Sequence, residues 1–132
     1  MTFNNGTVLS DCIKSVISQE YDKTEHIIID GASTDNTKDV LKQNKKYLTK
    51  LISEPDNGIY DAMNKGINIA DGEVIGFLNS DDFYANNKVL SKVANTFMNH
   101  PSLDACYSDL IYVDQATASK TIRYFKSSNF KS

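Results

Sequence analysis

An α/β fold with a Rossmann-like, mostly parallel sheet flanked by helices is predicted here by three observations. Short apolar runs at 26–30, 51–53 and 72–78 alternate with stretches of about ten residues that carry a helical stripe. The connections between them are short, as in a compact layered domain. The runs at 26–30 and 72–78 also give way at their C-terminal ends to Asp, Asn, Ser and Gly, the composition of strand-to-helix turns. Ligands of open α/β sheets bind beyond the carboxyl ends of the strands, so these polar clusters are where chemistry is sought.

Residues 1–6 open the chain as a loop, with Asn4-Asn5-Gly6 a turn signal that only three residues precede. Val8, Leu9, Cys12, Ile13, Val16 and Ile17 then recur as one face of a 3.6-residue repeat, and Thr7 stands where a cap is needed. The run at 26–30 is the apolar, β-branched segment that a strand buried on both faces requires. Gly31-Ala32-Ser33-Thr34-Asp35 turns it directly into a helix over 36–47, with Ser, Thr or Asp available as the cap. A short strand at 51–53 leads into the loop 54–58, and Ile59, Ala62, Met63, Gly66, Ile67 and Ala70 form the next helical face. The run at 72–78 reads as a buried, central strand ending in Asn79-Ser80-Asp81-Asp82. Val89, Leu90, Val93, Ala94, Phe97 and Met98 mark a helix to His100, stopped by Pro101. Residues 103–113 read as another strand, and 121–125 as its hairpin partner across a turn at 114–119.

The chain has 132 residues, the size of one domain, here taken as 1–132, with enough length for a real core. A net charge of −3 gives no nucleic-acid footprint, so an anionic ligand would need a metal, a helix N-terminus or a few placed cations. No apolar run is long enough to span a membrane and the start lacks the form of a signal peptide, so the expected location is cytoplasmic. Lys120, Arg123, Lys126 and Lys131 lie in a tail without acids. That composition suits peripheral contact with acidic headgroups at the inner membrane face, although a solvated, frayed end is the commoner outcome. Cys12 and Cys106 match no metal-ligand spacing and are expected to be reduced core residues.

Asp30 at one strand end, with Asp81 and Asp82 at another, would form a converging acidic site on one rim of the sheet. Adjacent carboxylates repel, and a hard divalent cation shared with substrate phosphates offsets that repulsion. The plainer account is that these acids begin turns and cap helices. No GxGxxG or Walker loop is present. The stretch from Asp56 to Gly66 is richer in polar groups than a loop and helix start require, with Asn64 and Lys65 either facing a ligand or solvated. His26 enters a strand and His100 ends a helix, and neither has a visible catalytic partner. Phe3, before a loop, either stacks on a planar base or packs.

Four stretches, 2–5 (TFNN), 27–37 (IIIDGASTDNT), 56–66 (DNGIYDAMNKG) and 72–82, recur in the order of the nucleotide-binding half of family 2 glycosyltransferases with the GT-A fold, and the chain resembles that family over nearly its whole length. The resemblance implies an inverting transfer from a nucleotide-diphospho-sugar donor to a saccharide or lipid-linked saccharide, in polysaccharide or glycolipid synthesis. Donor-binding residues carried over are Phe3 beside the base, Asp30 accepting a hydrogen bond from it, Ser33, Asn64, Asn79 toward the ribose, and Asp81. Asp81 and Asp82 match the DXD-type motif that holds Mn²⁺ or Mg²⁺, although Asn79 replaces the Asp that many relatives carry. No residue matches the general base, which is expected beyond Ser132. Both ends look cut against the family pattern, with a nearly missing first strand. The expectation is weak nucleotide binding, poor transfer, and self-association through uncovered strand edges.

Two other readings share these features. A Mg²⁺-binding signalling module of the response-regulator type would need an acidic pair where Asn4-Asn5 stands, and a non-catalytic nucleotide-binding remnant would differ only in turnover.

Overall fold

A computed structural model describes residues 1–114 and 120–127. It comprises two compact units, Met1–Ala94 and the residues from Asn95 onward.

In the first unit, α1 (Gly6–Ile17) leads to β1 (Ile27–Asp30), α2 (Thr37–Asn44) with a 3₁₀ turn at Lys45–Tyr47, β2 (Lys50–Ser53) and α3 (Ile59–Ile69). β1 and β2 pair in parallel from Ile27 with Lys50 to Asp30 with Ser53. On the other side of β1, Thr2 makes an isolated parallel bridge to Asp30. Its N–H donates to Ile29 O at 2.9 Å, and its carbonyl accepts from Gly31 N at 3.0 Å.

Successive residues of β1 point to opposite faces. Ile28 joins Leu9 and Ile13 of α1 and Leu41 of α2 in the core. Ile29 points the other way, where a Cβ on Gly66 of α3 would lie 3.7 Å from its Cγ1. The helices therefore cover both faces, which is why β1 is an unbroken apolar run. Each buried aliphatic side chain in this cluster contributes roughly 1.5–3 kcal/mol by leaving water.

Thr7 does not cap α1. Asn5 holds the cap position without a capping bond from its side chain, and the orphan amides are met from the 31–37 turn instead. Asp35 Oδ2 accepts from Gly6 N at 3.2 Å, its Oδ1 accepts from Thr37 N at 3.0 Å, and Thr37 Oγ1 accepts from Asn5 N at 3.0 Å. One carboxylate thus serves the positive ends of two helix dipoles. Hydrogen bonding, first from the Thr37 side chain, holds Asp35 below the usual carboxylate range. A Cβ on Gly6 would stand 2.3 Å from Asn36 Oδ1, so the two helix starts touch.

The run 72–78 is the main departure from the sequence expectation. It is not a strand, and Val74, Ile75 and Phe77 are 47%, 44% and 49% exposed rather than central and buried. A strand needs a ladder, and the neighbour this segment meets is Met1, whose ammonium donates to Leu78 O at 3.3 Å. One such contact does not set a register. Similarly, residues 103–109 stay irregular and only Leu110–Val113 forms a strand. Cys106, expected in the core, is consequently exposed, whereas Cys12 is buried; both are free thiols.

The helix α4 (Val89–Asn99) spans the junction of the two units. In the second unit β3 (Leu110–Val113) and β4 (Thr121–Phe125) pair antiparallel, with an irregularity between Tyr112 and Val113. Asp109 pins the end of this hairpin by accepting from Tyr124 Oη, Ser127 N and Ser127 Oγ. Most of the expected 114–119 turn, and Lys131, lie outside the described residues. Among the described residues no helix is long and apolar enough to cross a membrane.

Candidate functional site

Two places on the rim beyond β1 carry exposed polar chemistry, and a third, buried one holds the rim together. Asp30 belongs to the third. Its residue is fully buried, as is Ser33. Ser33 donates both its N–H (3.2 Å) and its hydroxyl (2.5 Å) to Asp30 Oδ1, and Ser53 Oγ donates to Oδ2 at 2.6 Å. Ser33 Oγ in turn accepts from Asn4 N at 2.8 Å. Asn4 Oδ1 accepts from Thr34 N at 2.8 Å, closing a brace between the loop at 3–6 and the turn at 31–37. A buried carboxylate with this many donors is satisfied where it stands. Asp30 and Ser33 are thus oriented into the scaffold rather than toward a ligand.

The first open place is a cleft of about 320 Å³ lined by Phe3, Gly31, Pro55, Asp56 and Gly58. Phe3 stands 62% exposed, a costly position for an aromatic ring with no partner. Gly31 lets Asp56 and Phe3 approach. A Cβ there would fall 2.7 Å from Asp56 Oδ2 and 3.3 Å from the Phe3 ring. Asp56 Oδ1 accepts from Gly58 N at 2.9 Å, which is a side-chain turn of the kind Asp favours. Sequence reasoning marked this loop as unusually polar but did not single out Asp56. The available signal was the Asp-Asn-Gly order, since Gly58 sits at φ +103°, where only glycine is at ease.

The second open place is the loop 79–82. Ser80 is buried, and its hydroxyl accepts from Asn5 Nδ2 at 2.8 Å, tying this loop to the rim segment that carries Phe3. Cys12 Sγ reaches Asn79 O at 3.4 Å, and burial pushes its thiol up to about 11, so it stays protonated. Asp81 and Asp82 are exposed, and Asn79 Nδ2 donates to Asp82 Oδ2 at 3.2 Å. Among the described residues no three His, Cys, Asp or Glu side chains gather closely enough to hold a metal. Asp30 therefore does not complete a triad with Asp81 and Asp82, because Ser33 and Ser53 already occupy it. The remaining pair still suits a hard divalent cation, which is commonly bound by one or two carboxylates plus substrate phosphates.

Asn64 is exposed on α3 and does not line the cleft. His26 is largely buried with Nδ1 unpartnered, and burial lowers it to about 4, so it is neutral at ordinary pH. His26 does not line the cleft, and His100, in the second unit, is exposed.

Comparison with known proteins agrees with this architecture. The family model described as Glycosyl transferase family 2 matches residues 1–130. A "PGL/p-HBAD biosynthesis glycosyltransferase" of Mycobacterium tuberculosis is 34% identical over 113 residues, covering 83% of this chain and 44% of its own length. An uncharacterized glycosyltransferase of Nostoc is 35% identical over 98 residues, 72% of this chain and 30% of its own. The chain thus spans less than half the length of these curated relatives. Among solved structures, S. aureus TarS 1–349 in complex with UDP superposes with a TM-score of 0.68 at 26% identity, over 76% of this chain and 31% of that one. The mannosyltransferase PcManGT from Pyrobaculum calidifontis, solved with GDP-Man and Mn²⁺, shares the fold at TM-score 0.68 and 21% identity, over 86% of this chain and 34% of that one. With its α/β layers, its rim cleft and a family match running almost end to end, the chain belongs to glycosyl transferase family 2.

Proposed function

We propose that this chain binds the nucleoside diphosphate of a sugar donor and contributes that half of an inverting, metal-assisted glycosyltransferase. The observation that carries the reading is the open cleft with an exposed ring and a carboxylate, on the same rim segment that Asn5 ties to the acidic loop through Ser80. Phe3 offers a face on which a planar base stacks, and Asp56 Oδ2 accepts a hydrogen bond from a ring N–H. Asp56 takes the role expected of Asp30, whose oxygens are spent inside the scaffold. The likeness to a structure solved with UDP supports a nucleotide as the ligand class.

Asp81 and Asp82 would hold Mn²⁺ or Mg²⁺ beside the diphosphate. Such an ion, when bound, stabilises negative charge on the departing diphosphate as a Lewis acid. The chain's own residues orient the donor: Asn79 steers Asp82 through its amide, and Asn5 fixes the height of the loop through Ser80. An acceptor hydroxyl attacks the anomeric carbon from the face opposite the diphosphate, giving up its proton to a base that none of these residues provides. The acceptor is a saccharide or lipid-linked saccharide, and the setting is cytoplasmic synthesis of surface polysaccharide or glycolipid. The exposed apolar run at 72–78 favours self-association, which light scattering checks by its departure from a monomer mass.

A thermal-shift series with UDP, GDP and dTDP, each with and without Mn²⁺, tests the donor reading. At least one nucleotide should raise the unfolding midpoint, and more so with the metal. A flat response to all three would overturn it.

A further inference from the structure

The cleft loop is held in place from one side of α3. Glu54 N donates to Asp30 O at 3.0 Å, fixing the start of the loop to β1. Lys65 Nζ then donates to Pro55 O at 2.8 Å and pairs with Glu54 Oε1 at 3.0 Å and Asp61 Oδ2 at 3.5 Å. Asp61 Oδ2 accepts from Asn57 N at 3.0 Å. Residues 55 and 57 are thus each fastened to α3, and Asp56 lies between them. Its Oδ1 is taken by Gly58 N, which leaves Oδ2 turned toward Gly31 and the cleft.

The pair is well placed for such a task. The Lys65 side chain is only 22% exposed, so its contacts are less screened than those of a surface lysine. Its bond to Glu54 raises the Lys65 ammonium above its ordinary value, and the Asn57 N–H is the foremost cause holding Asp61 below the usual carboxylate range. Asp61 and Lys65 are one helical turn apart, the acid N-terminal to the base, the favourable order for such a pair. Neither lines the cleft, so neither touches a ligand there.

We infer that Asp61 and Lys65 are positioning residues for base recognition, acting through the 54–58 loop to hold the Asp56 carboxylate at the height where it meets the base. This rests on the donor-binding reading above. A carboxylate held in place discriminates between bases by the N–H it can reach, whereas one on a loose loop accepts any of them.

The test measures binding of UDP, GDP, CDP and ADP, with Mn²⁺ present, to the full chain and to the Lys65→Met, Lys65→Arg and Asp61→Asn variants. The full chain should prefer its best nucleotide over its worst by about tenfold or more, the equivalent of ~1.4 kcal/mol. Lys65→Met should shrink that preference to within about threefold, chiefly by weakening the best ligand, and Lys65→Arg should restore most of it. Asp61→Asn, which keeps the side chain's size, should fall between. A uniform weakening of all four nucleotides, or an unchanged preference in Lys65→Met, would overturn the inference while leaving the donor reading intact. Failure of the unaltered chain to bind any nucleotide would overturn both.

Discussion

Asp30 and Asp82 both follow apolar runs, yet their surroundings are opposite. Asp30 is wholly enclosed and takes hydrogen bonds from Ser33 and Ser53, while Asp82 stands exposed with a bond from the Asn79 amide. A closed set of donors makes a carboxylate part of the scaffold, and an open one leaves lone pairs for a ligand. Composition at a strand end therefore marks where acids collect, and the count of donors already spent on each decides which is available.

The sharpest way to break this contrast is Asp30→Ala. Removing the acceptor strands the buried Ser33 hydroxyl and N–H and releases the exposed Ser53 hydroxyl, and should cost about 2–4 kcal/mol in urea unfolding. A loss below about 1 kcal/mol would mean that Asp30 is not the scaffold's knot.

The next effect concerns His26, whose imidazole is largely buried. Its folded value lies near 4 against 6.5 for a free histidine. Between those values the unfolded chain holds a proton that the folded chain lacks, so stability falls as pH drops from 6.5 toward 4. The loss should total roughly 1–3 kcal/mol, and unfolding of His26→Gln across the same range should lack that component.

Ala32 sharpens the picture of the 31–37 turn, since it holds φ 62° without being glycine. Ala32→Gly should relieve that strain and raise stability by up to about 1 kcal/mol, offset in part by the freer unfolded chain. The smallest effect on stability belongs to Asp82→Asn, within about 0.5 kcal/mol. That same variant should lose most of the Mn²⁺-dependent gain in nucleotide binding, which separates the open carboxylate from the closed one.

The helices were legible because their period survives any rearrangement of neighbours. The stripe from Leu9 to Ile13 is buried as expected, and the end of α1 slips only slightly, with Ile17 42% exposed. Caps were less legible: Asp35, from a distant turn, serves where Thr7 was expected. The misplaced strand at 72–78 failed for a related reason, since apolar character can be read locally but a pairing partner cannot. Within the site, Phe3, expected either to stack on a base or to pack, lines the cleft, whereas Asp56 was overlooked because its importance lies in facing Gly31 across the fold.

What the sequence determined by itself was periodicity: which segments coil, where β1 must be covered on both faces, and where acids gather at the rim. The tertiary structure alone decided which acid was enclosed. That choice depends on donors brought from afar, Ser53 from β2 and Asn4 from the opening loop, onto the Asp30–Ser33 pair. Local chemistry sets each residue's capacity to bond, but only the fold determines how much of that capacity is already used.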